Sequence, residues 1–234
     1  MSFVAPALLA ADFTRLGEAL AVIKDAGARM VHIDVADGHF VPELTLGQPV
    51  IASLRRATDL VLDVHLLIER PERYIPDFVR AGADRLSVQA EATPQLHRAL
   101  VLIREHGAKA GVVLNPGTSV DSVAELLPDV DFLGILCVDP AGNGGLRTPA
   151  FITRSKAKVR AAAESRLHRR LEFAIQAEGG IGFENLEELV LAGADILITD
   201  STIFDKNSLD ESSPESRLRR MMRLASQAGQ TSNV

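Results

Sequence analysis

In the stretch VHIDVADGHF, residues 31–40, His32 and Asp34 alternate with Val31, Ile33 and Val35. Residues two apart on an extended chain share a face. A strand here packs its aliphatic side chains one way and presents an imidazole and a carboxylate the other. The stretch LDVHLL, residues 62–67, repeats the pattern, with Asp63 and His65 opposite Val64 and Leu66. A third apolar run ends in Glu178, followed directly by Gly179 and Gly180. Imidazoles and carboxylates that converge make a donor set for one first-row divalent ion, with Zn²⁺, Mn²⁺, Fe²⁺ and Co²⁺ all reasonable. Convergence requires a fold that brings three distant segments to one place.

The segments that must do this recur along the chain. AGARMVHI from Ala26, AGADRLSV from Ala81, HGAKAGVV from His106 and AGADILIT from Ala192 each set a glycine between a helix-period stretch and a β-rich one. This is where a residue of positive φ ends a helix. Leu16, Ala19, Leu20 and Ile23 share one helical face, as do Ile75, Phe78 and Val79. Eight strands are expected, at 3–9, 30–36, 60–67, 84–90, 109–114, 131–138, 171–178 and 195–200, with a helical segment between every neighbouring pair. Strict alternation predicts a parallel sheet, and eight units close a single (β/α)8 TIM barrel. The domain spans residues 1–229, with a disordered tail at 230–234. Active sites of such barrels sit at the C-terminal ends of the strands, where His32, Asp34, His65 and Glu178 fall. His39 lies past its strand end and is expected to position a loop.

Composition excludes several other functions. Over 234 residues, 47% are apolar and 24% charged, with a net charge of −6. That balance suits a soluble globular protein and offers no basic field to nucleic acid or anionic lipid. No run of 18 apolar residues is present, so no membrane span is expected. The N-terminus lacks a basic n-region, which predicts a cytoplasmic protein. The single cysteine, Cys137, lies in FLGILCV and reads as a buried, inert thiol.

DVADGHFVPELTLG, LDVHLLIERPERYI, AGAD, AGVVLNPGT, EGGI and STIF, together reaching from about Pro6 to Phe204, resemble the successive signatures of the ribulose-phosphate 3-epimerase family. The resemblance implies a metal-dependent barrel that inverts C3 of a ketopentose phosphate through an ene-diolate. It implies His32, Asp34, His65 and Glu178 as ligands of one divalent ion, and Asp34 and Glu178 as the two acid/base groups. Gly144, Gly145, Gly179, Gly180 and Ser201 would bind phosphate. The partner would be a small sugar phosphate, and the protein a homo-oligomer.

The chain also departs from that pattern. Glu178 replaces the family's usual Asp, a change in reach of about 1.5 Å against a catalytic tolerance of roughly 0.5 Å. Ala7 and Ala10 stand where serines are usual, Ala36 where methionine is, and Gln89 where a histidine is. Asp200 stands where a glycine precedes the serine, and its charge would repel a phosphate dianion unless Arg147 neutralises it or Asp200 turns away to cap the helix starting at Ser201. Besides the epimerase reading, these departures leave two others. One is an isomerase, aldolase or lyase using the same chemistry on an unphosphorylated sugar. The other is a non-catalytic metabolite-binding barrel.

Overall fold

In the computed structural model, which describes residues 2–140, 150–205 and 212–231, Gly27, Gly82, Gly107 and Gly193 take φ of 92°, 115°, 94° and 109°. This left-handed conformation is costly for any residue with a β-carbon. Each glycine therefore stops a helix and turns the chain into a strand. The order is β1 (Phe3–Pro6), α1 (Leu16–Asp25), β2 (Met30–Ala36), α2 (Gln48–Ala57), β3 (Val61–Leu67), α3 (Ile75–Ala81), β4 (Arg85–Gln89) and α4 (Leu96–Glu105). Then come β5 (Lys109–Leu114), β6 (Phe132–Leu136), α5 (Ser155–Arg169), β7 (Ala174–Glu178), α6 (Leu186–Leu191), β8 (Ile196–Thr199), α7 (Ser201–Phe204) and α8 (Pro214–Thr231).

The strands pair in parallel in the order β1-β8-β7-β6-β5-β4-β3-β2. The seam between β1 and β2 is closed by a single bridge, Ala7 opposite His32, where the Leu8 N–H donates to the His32 carbonyl at 3.0 Å. The expected (β/α)8 barrel is thus present and nearly closed. One expected helix is missing. β5 and β6 are joined by two short 3-10 turns, Val120–Val123 and Leu127–Asp129. Pro116 precedes that segment and Pro128 lies inside its second turn, and proline removes a donor and disfavours helix in the residue before it. At the other end, α8 continues through Thr231, so positions 230 and 231 are helical rather than disordered. Residues 232–234 lie outside the described residues.

Alternation along the strands separates two interiors. On β3, Leu62, Val64 and Leu66 face the helices and are fully buried, while Asp63 and His65 face the barrel axis and are buried as deeply. Each fully buried aliphatic side chain of the outer layer contributes about 1.5–3 kcal/mol. α8 packs Leu218, Met221, Ala225 and Ala228 inward and covers β1, α1 and α6. Inside the barrel, Ala5, Ala7, Met30, Ile196 and Ile198 form an apolar patch on one side. On the other, Phe132 fills the space beside Gly111, whose absent Cβ would meet the Phe132 ring at 2.3 Å. The Arg85 guanidinium lies 3.8 Å from the Phe132 ring centroid, a cation–π contact that begins the polar layer above it. No helix among the described residues is long and apolar enough to cross a membrane.

Candidate active site

The register of β2 on β3 pairs His32 with Asp63 and Asp34 with His65. β7 brings Glu178 in from across the mouth, beyond β1 and β8. Ligand-type atoms of His32, His65 and Glu178 all lie within 4.8 Å of one another. Asp34 joins them, with its Oδ1 3.2 Å from His32 Nε2 and 3.4 Å from His65 Nδ1. Glu178 Oε2 lies 3.2 Å from His65 Nδ1 and 4.0 Å from His32 Nε2. All four expected side chains therefore meet. His39 does not join them; it is exposed and its Nδ1 lies 3.1 Å from the Asp37 carbonyl.

The atoms facing this point are acceptors. Asp63 Oδ2 accepts the hydrogen bond of the His32 Nδ1–H at 2.8 Å, which leaves Nε2 with a lone pair. Gln89, with its amide oxygen turned to His65, accepts from Nε2 at 3.3 Å and leaves Nδ1 in the same condition. His65 Nδ1 and Glu178 Oε2 are buried without a hydrogen-bond partner. Buried polar atoms normally find partners, and acceptors that face one another are satisfied only by a cation or by added protons. Two ligands sharing one ion at 2.0–2.2 Å stand roughly 3–3.5 Å apart, close to the separations here. The residues fit a divalent metal. With protons alone, burial pushes His65 down, but the charges and hydrogen bonds of Glu178 and Asp34 outweigh it and raise its pKa to about 9. Burial likewise pushes Asp34 up, and the two imidazoles more than reverse it, holding the carboxyl well below its usual range.

Beneath the cluster is a supporting set whose role sequence reasoning missed. Asp63 Oδ1 accepts from Arg85 Nε at 2.8 Å, and its Oδ2 accepts from Gln176 Nε2 at 2.9 Å. The Gln176 Nε2 also donates to Glu178 Oε1 at 2.9 Å, while its Oε1 accepts from Arg85 Nη2 at 2.7 Å. Burial pushes Asp63 up, but the Arg85 charge and the His32 hydrogen bond bring it down to about 2, so it stays a carboxylate. Inward alternation from Glu178 points to Gln176, and the same rule on β4 points to Arg85.

Glu178 reaches the cluster despite its extra methylene because β6 makes room. A Cβ on Gly134 would lie 2.8 Å from Glu178 Oε1. Above the cluster is a cavity of about 200 Å³ lined by Ala7, Ala10 and Ala36, by Gly179 and Gly180, and by Asp200 and Ser201 among others. Asp200 caps α7, as one expectation held: its Oδ1 accepts from Ser201 N at 2.5 Å and from Ser201 Oγ at 3.2 Å. Gly144, Gly145 and Arg147 lie outside the described residues. Cys137 is fully buried, and burial pushes its thiol up to about 12.

Residues 3–204 match the Ribulose-phosphate 3 epimerase family. The chain belongs to that family. A ribulose-phosphate 3-epimerase of Bacillus subtilis is 41% identical over 214 residues, covering 92% of this chain and 97% of that one. One of Synechocystis is 43% identical over 204 residues, covering 86% and 87%. The chain is accordingly a carbohydrate isomerase of the epimerase type. Among solved structures, KGPDC from Streptococcus mutans superposes with a TM-score of 0.67 at 16% identity, covering 97% of this chain and 99% of that one. That likeness is one of fold: a barrel is shared where the sequences have diverged.

Proposed function

We propose that this family member inverts C3 of a ketose by transferring protons between two carboxylates, Asp34 and Glu178, with ribulose 5-phosphate and xylulose 5-phosphate as the reference pair. The observation that carries this is the meeting of Asp34 Oδ1 and Glu178 Oε2 at His65 Nδ1, 3.4 and 3.2 Å away, from strands that are not neighbours. A C3 proton beside a C2 ketone is acidic because its removal spreads charge over an ene-diolate. One carboxylate takes that proton, and the other, entering protonated, returns one to the opposite face. The two then hold the reverse of their starting protonation and reset against solvent. Asp34, ionised under the charges of His32 and His65, suits the base role in one direction.

A divalent ion held by His32, Asp34, His65 and Glu178 would supply Lewis-acid stabilisation of the oxyanion, worth several kcal/mol. Asp63 orients His32, Gln89 orients His65, and Gln176 holds the far oxygen of Glu178. Leu136 and Val138, both buried at the cavity wall, keep water from the reacting carbon. The same reading makes the protein a cytoplasmic homo-oligomer. Incubated in D₂O with ribulose 5-phosphate or free ribulose, the metal-loaded protein should give xylulose product carrying deuterium at C3. Absence of exchange with every ketose, phosphorylated or free, would overturn the proposal. A second reading, the same chemistry on an unphosphorylated ketose, is favoured by the carboxylate of Asp200 in the cavity lining.

A further inference from the structure

β4 turns Arg85 and Gln89 to its inner face, and Glu91 stands two residues past its end, in the turn Ala90–Ala92. Gln89 is fully buried, whereas Glu91 is exposed. A side-chain amide carries an acceptor at one end and donors at the other, and three neighbours of Gln89 decide which end goes where. With its oxygen turned to His65, Gln89 accepts from Nε2 at 3.3 Å, and its nitrogen donates to the Val113 carbonyl at 2.9 Å and to Glu91 Oε2 at 3.1 Å. The reverse orientation sets the amide oxygen against two further acceptors and presents its NH₂ group to the imidazole.

Val113 belongs to β5, so the sheet fixes its carbonyl. Glu91 is fixed by other means. Its Oε1 accepts from the Asn115 N–H at 3.0 Å and from the Thr118 hydroxyl. Lys158 of α5 secures that turn by donating to the Asn115 and Pro116 carbonyls at 2.7 and 2.8 Å. A carboxylate is a stronger acceptor than a neutral carbonyl, so Glu91 is the stronger of the two groups that hold the Gln89 nitrogen. The orientation of that amide decides the tautomer of His65. An amide oxygen at Nε2 requires the proton there and leaves the lone pair on Nδ1, which faces Asp34 Oδ1 at 3.4 Å and Glu178 Oε2 at 3.2 Å. An NH₂ group at Nε2 would place the proton on Nδ1, and His65 would then offer no electron pair to a cation.

We propose that Glu91 is a positioning residue of the metal centre: acting through Gln89, it holds His65 in the tautomer whose Nδ1 can bind a cation. This rests on the reading of His65 as a metal ligand. The test measures Zn²⁺ affinity by chelator competition and, in the Zn²⁺-loaded protein, solvent exchange of the His65 Nε2 proton by ¹⁵N–¹H NMR. Glu91→Ala should weaken Zn²⁺ binding about tenfold, the low end for loss of an outer partner, and speed exchange of that proton about tenfold. Glu91→Gln keeps an oxygen for the Gln89 nitrogen and should recover most of both. Thr118→Val removes only a bond to the turn and should leave both close to wild type. Gln89→Met should weaken Zn²⁺ binding at least as much as Glu91→Ala, and combining the two should cause no further loss, because the connection is already cut. Additive losses in that pair, a Thr118→Val loss as large as that of Glu91→Ala, or wild-type affinity and exchange in Glu91→Ala would overturn the inference and leave His65 a ligand. Wild-type protein whose His65 ring signals do not respond to Zn²⁺ would overturn both.

Discussion

Gly134 on β6 and Glu178 on β7 are fitted to each other: a Cβ at position 134 would stand 2.8 Å from Glu178 Oε1 and 2.7 Å from Val113 Cγ2. The bare backbone at 134 is what leaves room for the longer glutamate side chain at 178. Gly134→Ala should push the carboxylate off its position, lowering kcat about a hundredfold, since displacements near 1 Å have that effect. Overpacking against Val113 should cost about 1–3 kcal/mol. Adding Glu178→Asp to Gly134→Ala withdraws the obstructing atoms, so the double variant should recover stability relative to Gly134→Ala. Urea melts and steady-state rates on the four proteins of the cycle check this. Additive losses would show that the two positions do not share the space.

The legible and illegible parts of the site divide along this line. Period-2 alternation placed His32, Asp34, His65 and Glu178 on inner faces, and glycine stops fixed the strand starts, so the donor set was readable from side-chain types alone. The accommodation of Glu178 was not, because it depends on a neighbouring strand's register, Gly134 opposite Gln176 and Leu136 opposite Glu178. The Asp63–Arg85–Gln176 layer was within reach of the alternation rule but carries no recognisable motif. The segment between β5 and β6 forms only 3-10 turns, the second holding Pro128, which cannot sit inside an α-helix there, and an assumption of regular alternation passes over it.

Gln176 bridges Asp63 and Glu178 through one nitrogen, at 2.9 Å to each, and is itself held by Arg85. Gln176→Leu keeps the volume and removes both bonds. The freed Glu178 Oε1 should then let the carboxylate swing, lowering kcat about tenfold with KM little changed. Gln176→Glu should be worse, because it sets a third carboxylate between two others. A kcat within twofold of wild type for Gln176→Leu would show that Gly134 and the cluster alone fix Glu178.

His65 sets how the metal-free protein responds to pH. Burial opposes its charge, but Glu178 and Asp34 raise its pKa to about 9, above the roughly 6.5 of an unfolded histidine. Its protonation therefore stabilises the metal-free fold fully below about pH 6.5, and that contribution is lost as pH rises through about 9. A cation competes for the same nitrogen, so its apparent affinity should climb with pH over this window, by up to about tenfold per unit for each proton displaced. Melting temperatures of chelator-treated protein should fall from pH 6.5 to 9, while the rise produced by Zn²⁺ or Mn²⁺ should grow. A metal-induced rise that is constant across that window would remove His65 from the ligand set.

Asp63 is fully buried and accepts three hydrogen bonds, from His32 Nδ1 at 2.8 Å, Arg85 Nε at 2.8 Å and Gln176 Nε2 at 2.9 Å. Its negative charge does two separable things: it fixes the His32 tautomer, and it neutralises a guanidinium mostly withdrawn from water. Asp63→Asn puts a donor among donors and leaves Arg85 uncompensated, which should cost about 3–5 kcal/mol. Loss of the carboxylate behind His32 should weaken metal binding about 10–100-fold. Pairing the change with Arg85→Met removes the stranded cation and should restore most of the stability while leaving metal affinity low. Chelator competition and urea unfolding on the single and double variants separate the two roles. Metal affinity that recovers together with stability would show that Asp63 acts only as the counter-ion of Arg85, and not through His32.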